Sequence, residues 1–178
     1  MFDGEDALGQ ISTMSLDNQR NLKLAFAGDP RFLDVAAEVA TEMNRWAGDF
    51  FGREIIRDYR EQLSFTTKIF RARGLHLDDR HIRTRDGGSF SASITDLALY
   101  VVNNFRELQK TGSSLVLYLP KIQTAEEAAL WNDMLNALEL HLGLAPGSIK
   151  AYVLLEQIEA TFQLMEIRGG ARAPLRRL

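Results

Sequence analysis

Acids, arginines and a lysine stand just past apolar runs at four places in this chain. "YVLLEQ" ends its apolar stretch on Glu156, "KIF" runs into Arg71 and then Arg73, "LYLP" runs into Lys121, and the short opening "MFDGEDA" carries Glu5 and Asp6. Carboxylates and cationic side chains gathered on one rim would make a site for a divalent metal and an anionic oxygen substrate. Taken singly, each residue has a plainer reading. Glu156 could be a helix-start acid or an ion-pair partner, Arg71 a structural arginine, and Lys121 a salt bridge along the rim. The choice turns on whether the apolar runs are strands of one parallel sheet, because such a sheet sets its strand ends side by side.

Three segments read as buried strands: "FTTKIF" (65–70), "SSLVLYLP" (113–120) and "IKAYVLLE" (149–156). Each is short, rich in β-branched or aromatic residues and bounded by turn signals. Between them the period becomes helical. Thr124 and Glu127 form a capping-box pattern, Ala128, Trp131, Leu135, Leu138 and Leu142 recur on one helix face, and Gly143 is placed to stop that helix. A second helix is expected over "SASITDLALYVVNNFRELQK" and a third over 32–63, broken near Gly48 or Gly52. "RTRDGG" reads as a hairpin turn or tight loop, with Asp-Gly supplying positive φ. Strands alternating with helices predict an α/β fold with a parallel sheet covered by helices, either doubly wound or a β/α barrel.

Composition narrows the function. The chain has 178 residues, 46% hydrophobic and 25% charged, enough for one domain with a core. A formal net charge of -3 argues against a nucleic-acid surface, whereas one buried arginine suffices for a small carboxylate substrate. The absence of cysteine excludes disulfides, thiolate metal sites and cysteine nucleophiles. No apolar run approaches the roughly 20 residues that span a bilayer, and the first residues lack the pattern of a signal peptide. The expectation is a cytoplasmic protein without membrane or nucleic-acid partners. Residues 1–168 read as the folded domain, and 169–178, ending "ARAPLRRL", as an off-pattern basic tail that frays.

The strand ends, in order, resemble the malate synthase family, in particular its shorter A-type enzymes. "DGEDALGQISTMSLDNQRNLKLA" resembles the family's D-x-E-D-S stretch followed by D-G-Q-I-N-L-R-D-A, with Asp6 and Asp17 at the family spacing. "FRARGLHLDDRHI" resembles R-x-R-G-[LW]-H-L-P-E-x-H, and "TDLALYVVNNF" resembles F-D-F-[AG]-L-Y-F-F-H-N-Y. "LYLPKIQTAEEAALWNDML" and "GLAPGSIKAYVLLEQIEATFQLMEI" look like the family's F-Y-L-P-K and I-K-A-T-V-L-I-E motifs with their surroundings. The likeness covers most of residues 1–30 and 65–168.

The resemblance implies a partial β/α (TIM) barrel, roughly strands two to five with their helices. It also implies an enzyme that condenses acetyl-CoA with glyoxylate and hydrolyses the thioester to malate and coenzyme A, with Mg²⁺ as cofactor. Carried over by motif, Arg71 matches the catalytic arginine and Glu156 a metal-ligand glutamate. Glu5 and Asp6 match an acidic pair lining the site, and Arg73 joins them as a substrate-binding residue acting chiefly by positioning. His76 and His81 read as structural, and His141 as a favourable charge near a helix C-terminus.

The chain departs from the family pattern in places. Residues 31–62 carry a long amphipathic helical pattern where A-type enzymes have a shorter insert, Gln157 replaces a Thr, and Met165 an Asp or Glu. A whole barrel has eight strands, and two family aspartates, the general base and a second metal ligand in a G-R-W-D-Y stretch, have no counterpart here. The expectation is therefore a fragment, inactive alone, that pairs with a complementary barrel fragment or with itself. Two other readings stand beside this one. The first is a malyl-CoA lyase-like enzyme of the citrate-lyase β-subunit superfamily, and the second a non-catalytic remnant that binds protein through open sheet edges.

Overall fold

The structure is a computed structural model, and it describes residues 1–6, 14–58 and 66–170. Four short strands, β1 (Phe2–Asp3), β2 (Ile69–Arg71), β5 (Leu115–Leu119) and β6 (Ile149–Val153), form one sheet in the order β1-β2-β5-β6. All three pairings are parallel. Neighbours that run parallel need a crossover, and the chain supplies helices for it: α3 (Ala92–Lys110) between β2 and β5, and α4 (Ala125–Leu142) between β5 and β6. Two further helices, α1 (Met14–Phe26) and α2 (Pro30–Phe51), follow β1. Short α5 (Ile158–Thr161) and α6 (Leu164–Gly170) follow β6.

Alternation along the strands decides what each face of the sheet meets. Phe70 and Ala72, then Leu115, Leu117 and Leu119, then Ile149, Ala151 and Val153, all join one core with α1, α3 and α4. Leu22 enters it from α1, Leu97, Tyr100, Val101 and Leu108 from α3, and Trp131 and Leu135 from α4. Phe70 stacks on Tyr100 with ring centroids 4.5 Å apart. The opposite face carries the row Asp3, Arg71, Tyr118 and Tyr152, in direct register across the four strands. Helices on one side and a mixed polar row on the other make the sheet an arc of barrel wall, which settles the sequence's choice against a doubly wound sheet. That also corrects the reading of all three segments as buried strands: Tyr152 is 57% exposed, because it lies on the inner face of the last strand in the order.

The punctuation residues behave as their chemistry requires. Thr124 accepts the Glu127 amide while the Glu127 carboxylate accepts the Thr124 amide, so the capping box is complete. Gly143 ends α4 at φ 66. The expected hairpin joins β3 (Asp78–Arg83) to β4 (Ser89–Ser91), antiparallel, with Gly87 at φ 86 in its turn. Helix α2 runs through Gly48 and stops at Gly52, the second of the two breaks anticipated. The return segment then folds back on it, with the Asn44 side chain receiving the Ile55 and Ile56 amides and donating to the Ile56 carbonyl. The rest of the third helical pattern, residues 59–63, and the first residue of "FTTKIF" lie outside the described residues. At the other end α6 continues through Gly169 and Gly170; residues 171–178 lie outside the described residues.

Candidate active site at the strand ends

The parallel sheet delivers the rim that the strand ends suggested. β1 ends on Asp3, and the chain turns at once: the Asp3 carboxylate accepts the amides of Glu5 and Asp6, at 3.0 and 2.9 Å. Gly4 sits in this turn with its N–H donating to the Arg71 carbonyl at 2.8 Å, and a Cβ there would meet that carbonyl oxygen at 2.8 Å. The close approach, rather than a special φ, is what calls for glycine. As a result the loop after β1 lies directly against the end of β2.

Arg71 is the last residue of β2, and its side chain is 9% exposed. One terminal nitrogen donates to Asp6 at 2.6 Å and Asp3 at 3.1 Å, and the other reaches Glu5 at 3.4 Å. Burial works against a charge on this guanidinium, but Asp3, Asp6 and Glu5 outweigh it and raise the pKa further above its ordinary value. Its Nε is buried and has no hydrogen-bond partner among the described residues. A buried, unpaired guanidinium N–H is costly to leave unmade, so a ligand oxygen would gain by meeting it.

Lys121 follows β5 and joins two strand ends. Its Nζ pairs with Glu5 Oε1 at 2.6 Å, and its backbone N–H donates to Glu156 Oε1 at 3.0 Å. The hydrogen bond to Glu5 holds the ammonium above its ordinary pKa. Glu5 is thereby almost wholly committed: Gly74 N–H meets its second oxygen at 2.8 Å. Glu156 stands three residues beyond the end of β6 and is exposed, as Asp6 largely is. The rim thus brings together four of the residues picked from sequence, Glu5, Asp6, Arg71 and Glu156, along with Lys121.

Arg73 goes elsewhere. Its guanidinium is buried against two carboxylates, with Asp96 taking Nε at 2.9 Å and a terminal nitrogen at 2.8 Å, and Asp79 taking that same terminal nitrogen at 2.8 Å. Asp96 also accepts the Arg73 amide, and Ser93 Oγ donates to the Arg73 carbonyl. In this geometry Arg73 ties the loop after β2 to the N-terminal part of α3. His76, His81 and His141 are exposed, and His141 lies in the last turn of α4.

Three acids of this region were not picked from sequence. Asp3 begins the very "DGED" stretch that supplied Glu5 and Asp6, so its signal was present. Asp96 lies inside "TDLALY", where an acid on an otherwise apolar helix face implies a buried partner. Asp79 shows no such signal, because only the fold reveals that it faces Arg73.

For a divalent cation, the rim offers hard oxygen donors of the type that Mg²⁺ prefers. Four carboxylates, Asp3, Glu5, Asp6 and Glu156, face two cations, Arg71 and Lys121, which leaves an excess of two negative charges. Among the described residues no group of three or more His, Asp or Glu side chains converges on one point as a ready-made metal cage. Mg²⁺ commonly binds through one or two carboxylates and completes its shell with water and substrate oxygens. Glu156, whose carboxylate accepts the Lys121 backbone amide and no other hydrogen bond among the described residues, fits that sparser role.

Parallel strands flanked by helices, with acids and a buried arginine at their C-terminal ends, define a segment of a β/α barrel with a candidate site on its rim. Comparison with known proteins agrees: residues 67–174 match the family described as malate synthase, TIM barrel domain. Malate synthase A of Escherichia coli is 32% identical over 172 residues, covering 97% of this chain and 28% of that protein. The glyoxysomal malate synthase of Brassica napus is 33% identical over 170 residues, 94% of this chain and 27% of that one. The malate synthase of Myxococcus xanthus reaches 43% over 97 residues, 54% of this chain and 18% of the other. The chain belongs to the malate synthase family, and it spans about a quarter of the length of the first two relatives. No described helix is long and apolar enough to cross a membrane.

Proposed function

We propose that this chain supplies the arginine, the acidic loop and one metal-ligand glutamate of a malate synthase site, which condenses acetyl-CoA with glyoxylate and hydrolyses the thioester. The observation that carries the reading is Arg71, fixed at a strand end by three carboxylates while its buried Nε–H stays unpaired. In the reaction Arg71 stabilises the enolate oxygen that develops as the acetyl group loses a methyl proton. A guanidinium already held by Asp3, Glu5 and Asp6 does this without reorganising. Asp3 and Glu5 keep it aimed, and Asp6, the most exposed of the three, is the one free to exchange its partner for substrate.

Glu156 and the acidic loop would hold Mg²⁺, which when bound supplies Lewis-acid polarisation of the glyoxylate aldehyde. Arg73 takes no direct part; it fixes the backbone from which Arg71 projects. The family's general-base aspartate and its G-R-W-D-Y aspartate do not occur in these 178 residues. We infer that turnover needs those groups from another polypeptide segment, a complementary part of the barrel, and that the chain alone is inactive. The compartment in which it works is the cytoplasm.

The test mixes the chain with a separately produced downstream barrel segment of the Escherichia coli relative and follows release of free thiol from acetyl-CoA. Glyoxylate-dependent thiol release, absent from either piece alone, is the expected result. A folded complex without thiol release would contradict the reading. Cleavage of malyl-CoA with its thioester conserved would instead identify a lyase relative.

A further inference from the structure

Lys121 is the only non-glycine residue among those described with positive φ, at 55°. The left-handed region is sterically unfavourable for an L-residue, whereas glycine would occupy it freely. A lysine whose only task was a surface ion pair could sit in an ordinary conformation. Here the unusual conformation has two products. Immediately after Pro120 it turns the backbone so that the Lys121 N–H meets Glu156 Oε1 at 3.0 Å, and it sends Nζ back across the sheet to Glu5 Oε1 at 2.6 Å. The other Glu5 oxygen takes the Gly74 amide at 2.8 Å. One residue therefore links the loop after β1, its own turn after β5 and the segment after β6, and through Glu5 it reaches the loop after β2. Its side chain is 35% exposed, against 4% for Glu5.

We propose that Lys121 is a positioning residue of this site, holding Glu5 with its side chain and Glu156 with its backbone so that the two carboxylates keep a fixed separation. This rests on the reading of Glu5 and Glu156 as site carboxylates. Lysine is retained at a left-handed position because glycine would keep the bond to Glu156 and lose the one to Glu5. Strained residues of this kind persist where the surroundings over-determine them, commonly at active sites.

The test is amide hydrogen exchange by NMR on the full 178-residue chain, comparing wild type with Lys121→Met, Lys121→Gly and Lys121→Arg. The Gly74 N–H reports on Glu5, and the amide of residue 121 reports on Glu156. In Lys121→Met and Lys121→Gly the Gly74 amide should exchange about fivefold faster, a charge-assisted hydrogen bond discounted for partial exposure. In Lys121→Gly the amide at 121 should stay protected, and Lys121→Arg should restore Gly74. Unchanged Gly74 exchange in the Met variant, or failure of Arg to restore it, would overturn the proposal. In the two-piece turnover assay Lys121→Met and Lys121→Gly should lower kcat and leave the KM for acetyl-CoA unchanged; an unchanged kcat in both beside an active wild type would overturn it too. An inactive wild-type mixture would count against the functional reading alone, since the exchange pattern still decides the role of Lys121.

Discussion

Asp3 and Arg71 are partners twice over: they face each other in the β1–β2 register, and their side chains meet at 3.1 Å. The second Asp3 oxygen accepts the amides of Glu5 and Asp6, so one carboxylate both shapes the acidic loop and holds the guanidinium. Replacing it separates the two functions. Asp3→Asn keeps an oxygen for the amides and should cost about 1 kcal/mol, whereas Asp3→Ala leaves two amides and part of Arg71 unpaired and should cost about 2–3 kcal/mol. Urea unfolding of both variants checks the order.

The buried bridge of Arg73 to Asp96 and Asp79 should be the most sensitive polar feature of the domain. Asp96→Ala strands a buried guanidinium and an accepting carboxylate's worth of hydrogen bonds, so a loss of about 3–5 kcal/mol is expected. Arg73→Lys should fail to rescue, because an ammonium cannot reproduce the forked contacts that Asp96 makes with Nε and a terminal nitrogen. Thermal or urea midpoints would show both effects.

Thr124→Ala removes one half of the capping box of α4 and should cost about 1 kcal/mol. The change lies outside the rim, so thiol release in the two-piece assay should be unaltered at temperatures where the variant stays folded.

Acid should destabilise the fold through two named groups. Burial disfavours charge on Asp79, but the Ile82 amide, the Arg73 guanidinium and the His81 amide outweigh it and hold its pKa below the ordinary value. Asp3 is likewise depressed against burial, by the Asp6 and Glu5 amides and by Arg71. Groups depressed in the folded state contribute stability that is fully present above the unfolded value near about pH 4 and is lost as pH falls through the lower folded values. The free energy of unfolding should therefore drop below about pH 4, and the drop should shrink in Asp79→Asn. An equal drop in wild type and variant would contradict the assignment.

Much of this was legible in the sequence because it depends on local chemistry. The capping box at Thr124 and Glu127, the stop at Gly143 and the hairpin at Gly87 are each specified within a few residues. The strand ends were legible because apolar runs stop abruptly at Arg71, Lys121 and Glu156. What was not legible depends on approach across the fold. Arg73 looked like a site residue beside Arg71, since two positions on in a strand would return to the same face, yet β2 ends at Arg71 and residue 73 turns instead to Asp96 and Asp79. Glu139 gave no signal at all. It is 2% exposed in α4, and it accepts the amides of Gly147 and Ile149, fixing the entry to β6.

The most direct test of the central claim is a chimera in which this chain replaces the matching region of Escherichia coli malate synthase A, with kcat measured for Arg71 and for Arg71→Lys. The Arg71 chimera should form malate from acetyl-CoA and glyoxylate, and Arg71→Lys should lose about 3 kcal/mol of transition-state stabilisation, roughly a hundredfold or more in kcat. A folded chimera whose rate is the same with arginine or lysine at position 71 would contradict the account.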